Sequence, residues 1–258
     1  MMNRAIKDFI HSSLKKKGYK VVKTNSDSTP TKFNATKKIK VEFVGPPGVG
    51  KSTVYRILLS SRKKEDNWFT PEEIYQVKER LVSPSDVIPL SNHYEKAIDL
   101  IYNLIISNSK TTTTYKINTL RYAHYILNQD NVIQSLNLKF KAVFDEGVFH
   151  TPEYMVELNK KDEESFKAIL RNKATVNFYN SPEAIVNNFK ERMEQGWITY
   201  LHLNKTDDEL LKLTNTEIQN RKELLGLVEQ NKVPVLDVNT ADIPQLNAIK
   251  IKTFLATL

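Results

Sequence analysis

Two patterns of hydrophobic and polar positions alternate along the chain. Short apolar runs rich in β-branched residues predict strands at 39–45, 139–145, 174–180 and 233–238. Apolar residues at helical spacing predict a helix that begins at Thr70 and others at 51–62, 91–108, 112–136, 151–173, 181–195, 206–230 and 242–257. The stretch around Trp68 and Phe69 gives no clear prediction. Strands that alternate with helices predict a three-layer α/β fold, in which helices cover both faces of a parallel sheet.

The first 37 residues have a different pattern. Residues 3–17 predict a short amphipathic helix with an apolar stripe and several lysines mostly elsewhere, and Tyr19–Val22 predicts a short strand. The polar segment that follows has no periodicity and indicates a linker. We therefore expect a basic leader with its linker at 1–37, a helical N-terminal appendage, and one α/β domain at 38–258.

The net charge of +8 belongs to this leader. Residues 1–40 hold eleven Lys and Arg against two Asp, so they carry +9 and the remainder carries −1. The main domain is therefore not expected to bind nucleic acid, whereas residues 3–23 are expected to meet an anionic membrane surface or a protein partner. The chain has no cysteine, which excludes disulfides and thiolate metal sites. No apolar run approaches the roughly 18 residues of a membrane-spanning helix, and no signal peptide is visible. These absences predict a cytoplasmic location, with peripheral attachment at the inner face of the membrane as a further expectation.

The segment GPPGVGKST at 45–53 fits the phosphate-binding pattern of glycine, four residues, then Gly-Lys-Ser. It follows a predicted strand and opens a predicted helix, as the chemistry requires: loop N–H groups and the helix N-terminus bind phosphate oxygens. Lys51, expected to be solvated, would reach the outer phosphates, and Ser52 would hold Mg²⁺. The predicted cofactors are therefore ATP and Mg²⁺. The predicted nucleotide-binding residues are Gly45, Pro46, Pro47, Gly48, Val49, Gly50, Lys51, Ser52 and Thr53.

Asp145 and Glu146 follow the next apolar strand, in the sequence KAVFDEGVFH. A phosphate-binding loop needs a carboxylate at a neighbouring strand end, to hold Mg²⁺ or to take a proton from an attacking hydroxyl. Asp145 is the predicted metal ligand together with Ser52. Both carboxylates are candidate catalytic residues, and the sequence leaves open which of the two is the base.

Two arginines complete the set of candidate catalytic residues. Arg121 lies in the middle of a long predicted helix, where its charge needs an anionic partner or an exit to solvent. Arg192 follows the strand at 174–180, where an arginine could neutralise a transferring phosphoryl group. Weaker candidates on the same grounds are His124, Lys190, His202 and Lys205.

Residues 38–258 resemble the P-loop small-molecule kinases of the nucleoside and nucleotide kinase superfamily, in particular the thymidylate-kinase-like branch. The resemblance rests on GPPGVGKS, Arg121-Tyr122-Ala123-His124, FDEG, SPEAIVNNFKER and the closing strand VPVLD. It implies five parallel strands, ATP on the loop at 45–53 and an acceptor in a cleft over the helices of 70–136.

Two departures separate the chain from that family. Nucleotide kinases usually have an arginine where this chain has Glu146, and the lid lacks the usual arginine cluster. A nucleoside monophosphate is therefore not the first expectation for the acceptor. The basic leader has a weak resemblance to enzymes of bacterial surface-polysaccharide synthesis, which favours a sugar or a surface-glycan precursor.

The expected function is the transfer of the γ-phosphoryl group of ATP to a small hydroxylated acceptor, namely a sugar, a surface-glycan precursor or a nucleoside or nucleotide. Two alternatives remain open. Asn204-Lys205-Thr206-Asp207 matches the guanine-reading motif of GTPases, although the Asp-x-x-Gly that GTPases need is missing and Thr206 is also a good helix cap. The second alternative is a regulatory ATP-binding module that controls a partner.

Overall fold

The computed structural model of the chain describes residues 38–81, 88–109, 111–136, 139–196 and 205–258. The leader helix at 3–17, the strand at 19–22 and the linker fall outside the described residues and stay predictions. The same holds for His202 and Asn204.

The described residues form five strands and nine α-helices. The strands are β1 (Ile39–Val44), β2 (Trp68–Phe69), β3 (Lys141–Phe144), β4 (Lys173–Tyr179) and β5 (Val235–Asn239). The helices are α1 (Lys51–Ser60), α2 (Pro71–Leu81), α3 (Asn92–Ser107), α4 (Thr113–Ser135), α5 (Pro152–Lys161), α6 (Glu163–Leu170), α7 (Pro182–Glu194), α8 (Asp207–Gln230) and α9 (Pro244–Thr257). Among these helices, none has the length and apolar character needed to cross a membrane.

All strand pairs in the sheet are parallel, and the strand order is β2-β3-β1-β4-β5. The prediction of a five-stranded parallel sheet with helices on both faces is therefore confirmed. β1 lies at the centre, where Val41 aligns with Val143 of β3 and with Ala174 of β4. The carboxyl ends of these three strands meet at one edge, which is where parallel α/β sheets bind their ligands.

Alternate residues of β1 face the two helical layers. Ile39, Val41 and Phe43 pack in a cluster with apolar residues of α1, α7 and α9. The other face of the sheet packs against α3, α4, α5, α6 and α8. Lys40 and Glu42 point to that second face, and both are fully buried there. A central strand of this domain therefore carries two buried charges.

One prediction of local structure was wrong. The helix predicted at 151–173 is two helices, because Asp162 ends α5 and its side chain accepts a hydrogen bond from Ser165 N at 3.0 Å, which caps α6. The strand Trp68–Phe69 lies where the sequence pattern makes no clear prediction, since two residues are too few for a periodic pattern. The other boundaries agree with the prediction to within two residues. The capped start at Thr70 is confirmed, because Thr70 Oγ1 accepts from Glu73 N at 3.3 Å.

Candidate active site

The loop between β1 and α1 forms a tight turn that requires glycine. Gly48 and Gly50 have φ values of 79° and 106°, a left-handed backbone that other residues rarely adopt. A Cβ atom added at Gly48 would lie 3.2 Å from the Phe189 ring of α7. Asn188 of the same helix donates a hydrogen bond from Nδ2 to Gly48 O at 2.8 Å. The loop at 45–50 is therefore held in shape by α7.

The N-terminus of α1 is open to an anion. Its N-cap residue is Gly50, which makes no side-chain capping bond, and the first turn contains no acidic residue. Free N–H groups and the helix dipole at such an end favour a bound phosphate. The predicted nucleotide-binding segment thus has both parts of a phosphate site, a glycine-shaped loop and an uncapped helix N-terminus.

Lys51 is buried, contrary to the expectation that it would be solvated. Its side chain packs under the loop, and Nζ donates hydrogen bonds to Gly45 O at 2.7 Å and to Pro46 O at 3.2 Å. Burial and, after it, the Arg221 charge lower the pKa of Lys51 to about 8, against the opposing charges of Glu146 and Asp145. A phosphate bound to the loop would supply the negative charge that keeps this ammonium group protonated.

Ser52 and Asp145 come together as the sequence predicts for a magnesium site. Asp145 follows β3 directly, and the Ser52 hydroxyl lies close enough to stabilise its carboxylate. Burial raises the pKa of Asp145, while the Ser52 hydroxyl and the Lys51 charge oppose that rise. The buried Oδ1 atom of Asp145 has no hydrogen-bond partner among the described residues.

These features fit Mg²⁺ rather than a metal enclosed by protein ligands. No group of three or more His, Cys, Asp or Glu among the described residues could hold a metal ion. Mg²⁺ at nucleotide sites commonly takes only one or two protein oxygens, with phosphates and water as its other ligands. One hydroxyl, one carboxylate and an unsatisfied carboxylate oxygen therefore suit this ion.

Glu146 is the next residue of the same loop, and its side chain is held by a tyrosine. Tyr122 of α4 donates a hydrogen bond from its hydroxyl to Glu146 Oε2 at 2.7 Å. Burial and the Glu146 charge raise the pKa of Tyr122, so the phenol stays protonated and can act only as donor to the carboxylate. His150 Nδ1 lies 3.7 Å from Glu146 Oε1, and its ring packs edge-on against the Tyr122 ring. Glu146 is about half exposed, so its carboxylate is both oriented by Tyr122 and accessible to a ligand.

Arg221 of α8 is a cleft residue that the sequence did not indicate. It is 3 % exposed, and its guanidinium pairs with Glu217 and lies 3.5 Å from His150 O. Its Nε has no hydrogen-bond partner within the described part of the chain. The side chain also lines a cavity of about 420 Å³ beside Pro46. A buried guanidinium with an unused N–H beside the loop at 45–50 can bind an anionic oxygen.

The other predicted cations occupy different settings. Arg192, in the last turn of α7, is exposed but close enough for its charge to affect Lys51. Arg121 is exposed on α4, so its charge is solvated, which is one of the two settings expected from the sequence. His124 pairs with Tyr102, at 3.0 Å between Nδ1 and the hydroxyl. Lys190 forms an ion pair with Asp207. The structure thus brings Lys51, Asp145, Glu146 and Arg192 together, with Arg121 on the solvent side of α4.

Two residues of the guanine-type motif act locally within the fold. Thr206 is the N-cap of α8, where its side chain accepts from Glu209 N and Glu209 bonds back to Thr206 N at 2.8 Å. Asp207 carries the ion pair with Lys190. Both contacts are those of an ordinary helix start, which gives these two residues a structural role without a guanine base.

Comparison with protein-family models finds no match, and comparison with curated protein sequences finds none either. Solved structures give weak similarities. Shikimate kinase from Acinetobacter baumannii in complex with shikimate shares 13 % identity and a TM-score of 0.44, over 86 % of this chain and 95 % of that one. A protein from Chloroflexus aurantiacus described as a kinase shares 15 % identity and a TM-score of 0.41, over 86 % and 98 %.

A third solved structure, EHV4-TK complexed with TP4A, has 12 % identity and a TM-score of 0.29, over 86 % of this chain and 91 % of that one. None of these three similarities is strong enough to assign an activity. A functional proposal for this chain therefore depends on the geometry and charge of the site itself.

Proposed function

We propose that the chain is an ATP- and Mg²⁺-dependent phosphotransferase that moves the γ-phosphoryl group to a small hydroxylated acceptor. The observation that carries the proposal is the pair of adjacent carboxylates at the end of β3. Asp145 lies beside the Ser52 hydroxyl at the phosphate loop, while Glu146 is held by Tyr122. Nucleotide binding alone needs only the first carboxylate, whereas transfer to a hydroxyl also uses an oriented base.

Each residue has a defined role in this proposal. The N–H groups of 45–52 and the Lys51 ammonium bind the phosphates of ATP, and Ser52 and Asp145 would hold Mg²⁺. The ion neutralises charge on the phosphate oxygens. Glu146 takes the proton of the acceptor hydroxyl as the new oxygen–phosphorus bond forms. The bond from the γ-phosphorus to the bridging oxygen then breaks, and ADP leaves. Arg192 and Arg221 supply positive charge where negative charge develops on the transferring group.

The charge of Glu146 supports an acceptor that is neutral at its reacting end. A phosphate group placed against this carboxylate would meet like charge, whereas a sugar or nucleoside hydroxyl could donate a hydrogen bond to it. We therefore propose a neutral hydroxylated acceptor, such as a sugar, a surface-glycan precursor or a nucleoside, ahead of a nucleoside monophosphate. Arg221 could then contact an anionic group elsewhere on the acceptor or on the transferring phosphoryl.

The proposal is tested first by nucleotide binding and then by turnover. We expect ATP with Mg²⁺ to raise the melting temperature more than GTP with Mg²⁺ or ATP with EDTA. ATP consumption should then accelerate in the presence of sugars or nucleosides. Stabilisation by GTP alone would support the GTPase alternative. Binding of ATP without acceleration by any acceptor of these classes would support the regulatory module and contradict the proposal.

Replacing Tyr122 by phenylalanine should lower kcat while leaving the KM for ATP nearly unchanged. The change removes only the hydroxyl that orients Glu146, and a hydrogen bond to a charged group contributes about 1.5–3 kcal/mol, which corresponds to roughly tenfold to hundredfold in rate. Tyr102→Phe is the matched control, because its hydroxyl contacts His124 instead of Glu146. Equal kcat values in the two variants would contradict the orienting role of the Tyr122 hydroxyl.

A further inference from the structure

Four charged side chains are buried together beneath the candidate active site. Lys40 and Glu42 of β1, Asp130 of α4 and Lys173 of β4 are each at most 3 % exposed at the side chain. Lys40 and Lys173 each lie 2.9 Å from the Asp130 carboxylate, and Lys173 also pairs with Glu42. Tyr94 donates its hydroxyl to Asp130. We call these four charged residues the buried tetrad.

Glu42 makes a hydrogen bond that connects the buried tetrad to the loop that follows β3. Its Oε2 atom accepts a hydrogen bond from Phe149 N at 3.0 Å, while Oε1 accepts from Lys173. A Cβ atom added at Gly147 would lie 2.3 Å from Glu42 Cδ, so the loop backbone passes directly over the carboxylate. The Lys173 ammonium also lies 5.4 Å from the centre of the Phe149 ring. The loop backbone therefore packs directly on the Glu42 side chain.

This loop carries both carboxylates that the proposed reaction uses, Asp145 and Glu146. It also carries His150, which lies beside Glu146. Phe149 N needs an acceptor because it is buried with its residue, and an unpaired buried N–H would cost free energy. Lys173 meanwhile uses the second oxygen of the same carboxylate. One carboxylate thus joins Phe149 N of the loop to Lys173 of the central sheet.

We propose that Glu42 is a positioning residue, whose carboxylate fixes the loop at 145–150 so that Asp145 and Glu146 face the phosphate loop. Lys173 holds the Glu42 carboxylate in place through its contact with Oε1 and is itself paired with Asp130, which also pairs with Lys40. Glu42 itself touches neither the phosphates nor the acceptor. This inference rests on the proposed function, which gives Asp145 and Glu146 their roles. The contact between Glu42 and Phe149 N is independent of that function.

Two double variants separate this positioning from charge balance. Glu42→Gln with Lys173→Met, and Glu42→Met with Lys173→Met, each remove one charge of each sign and leave the pair of Lys40 and Asp130. They differ only at residue 42, where the glutamine oxygen can still accept a hydrogen bond from Phe149 N once Lys173 is gone, whereas methionine offers no such acceptor. Any difference between the two variants therefore reports the contact with the loop.

The readouts are amide hydrogen exchange of the segment 145–150 and the binding of ATP with and without Mg²⁺. We expect the methionine double variant to exchange this segment at least about tenfold faster than wild type. It should also lose roughly tenfold to hundredfold in the Mg²⁺-dependent part of ATP affinity, as is usual when a residue that orients a metal ligand is lost. The glutamine double variant should stay within about threefold of wild type in both. Equal behaviour of the two variants would overturn the proposal.

A single variant that keeps all four charges covers the case in which a double variant does not fold. Gly147→Ala places a methyl group against Glu42 Cδ and should displace the loop, with the same faster exchange of 145–150 and weaker Mg²⁺-dependent binding of ATP. Wild-type exchange in Gly147→Ala would contradict the positioning role. If wild-type protein shows no Mg²⁺-dependent binding of ATP, the proposed function fails, and amide exchange alone still decides whether Glu42 positions the loop.

Discussion

Replacing Lys51 by methionine is expected to lower phosphoryl transfer by at least about a hundredfold, which is the loss typical of removing one group that stabilises developing charge. Lys51 is the cation built into the phosphate loop, and its Nζ already lies at the loop carbonyls of Gly45 and Pro46. Methionine keeps an unbranched side chain of similar length, so the aliphatic packing under the loop is largely retained. Steady-state kinetics with ATP and an accelerating acceptor measure the effect.

The same variant should also lose some stability, because Lys51 is buried rather than solvated. The carbonyls of Gly45 and Pro46 lose a donor, for which we expect a decrease of about 1–3 kcal/mol in the free energy of unfolding. Urea unfolding must therefore accompany the kinetics, so that activity is compared only where both proteins are folded. Lys167→Met is the matched control, since Lys167 is exposed and forms its ion pair with Glu163 of its own helix. Full transfer activity in folded Lys51→Met protein would contradict the mechanism.

The parts of the site that the sequence predicted are those in which neighbours in the chain are also neighbours in space. The loop at 45–53 can be predicted because its glycines, lysine and serine act within one turn of backbone. Asp145 and Glu146 can be predicted because a strand end before a turn is a local pattern. The proximity of Asp145 to Ser52 follows from the parallel sheet, in which β1 and β3 are adjacent and end at the same edge.

Arg221 and the buried tetrad were missed for the opposite reason. Arg221 has the spacing of an ordinary surface pair with Glu217, and only the path of α8 past His150 brings it to the cleft. In β1, Lys40 and Glu42 alternate with apolar residues, which is typical of a strand with one solvated face. The structure covers that face with α4, whose Asp130 lies 90 residues from Lys40 in the chain. Local patterns carry no information about such a partner.

Replacing Asp130 by asparagine is expected to lower the free energy of unfolding by about 3–5 kcal/mol at pH 7, because it leaves two buried lysines with only the Glu42 carboxylate. Burial alone would raise the pKa of Asp130, but the Lys173 and Lys40 charges hold that pKa below its usual value. A carboxylate whose pKa is lowered by folding stabilises the protein fully above its unfolded pKa, near 4, and loses this contribution as the pH falls through the folded pKa.

The difference between wild type and Asp130→Asn in urea unfolding should therefore be complete at pH 7 and should shrink as the pH falls below about 4. A difference that is independent of pH would show that Asp130 acts through shape and neutral hydrogen bonds rather than through charge. Asp130→Leu combined with Lys40→Met provides the comparison, because it removes one charge of each sign. Apolar replacements of a buried ion pair are often close to neutral in stability, so this double variant should be more stable than Asp130→Asn alone. Stability of the double variant equal to that of wild type would show that the pair of Lys40 and Asp130 makes no net contribution to folding.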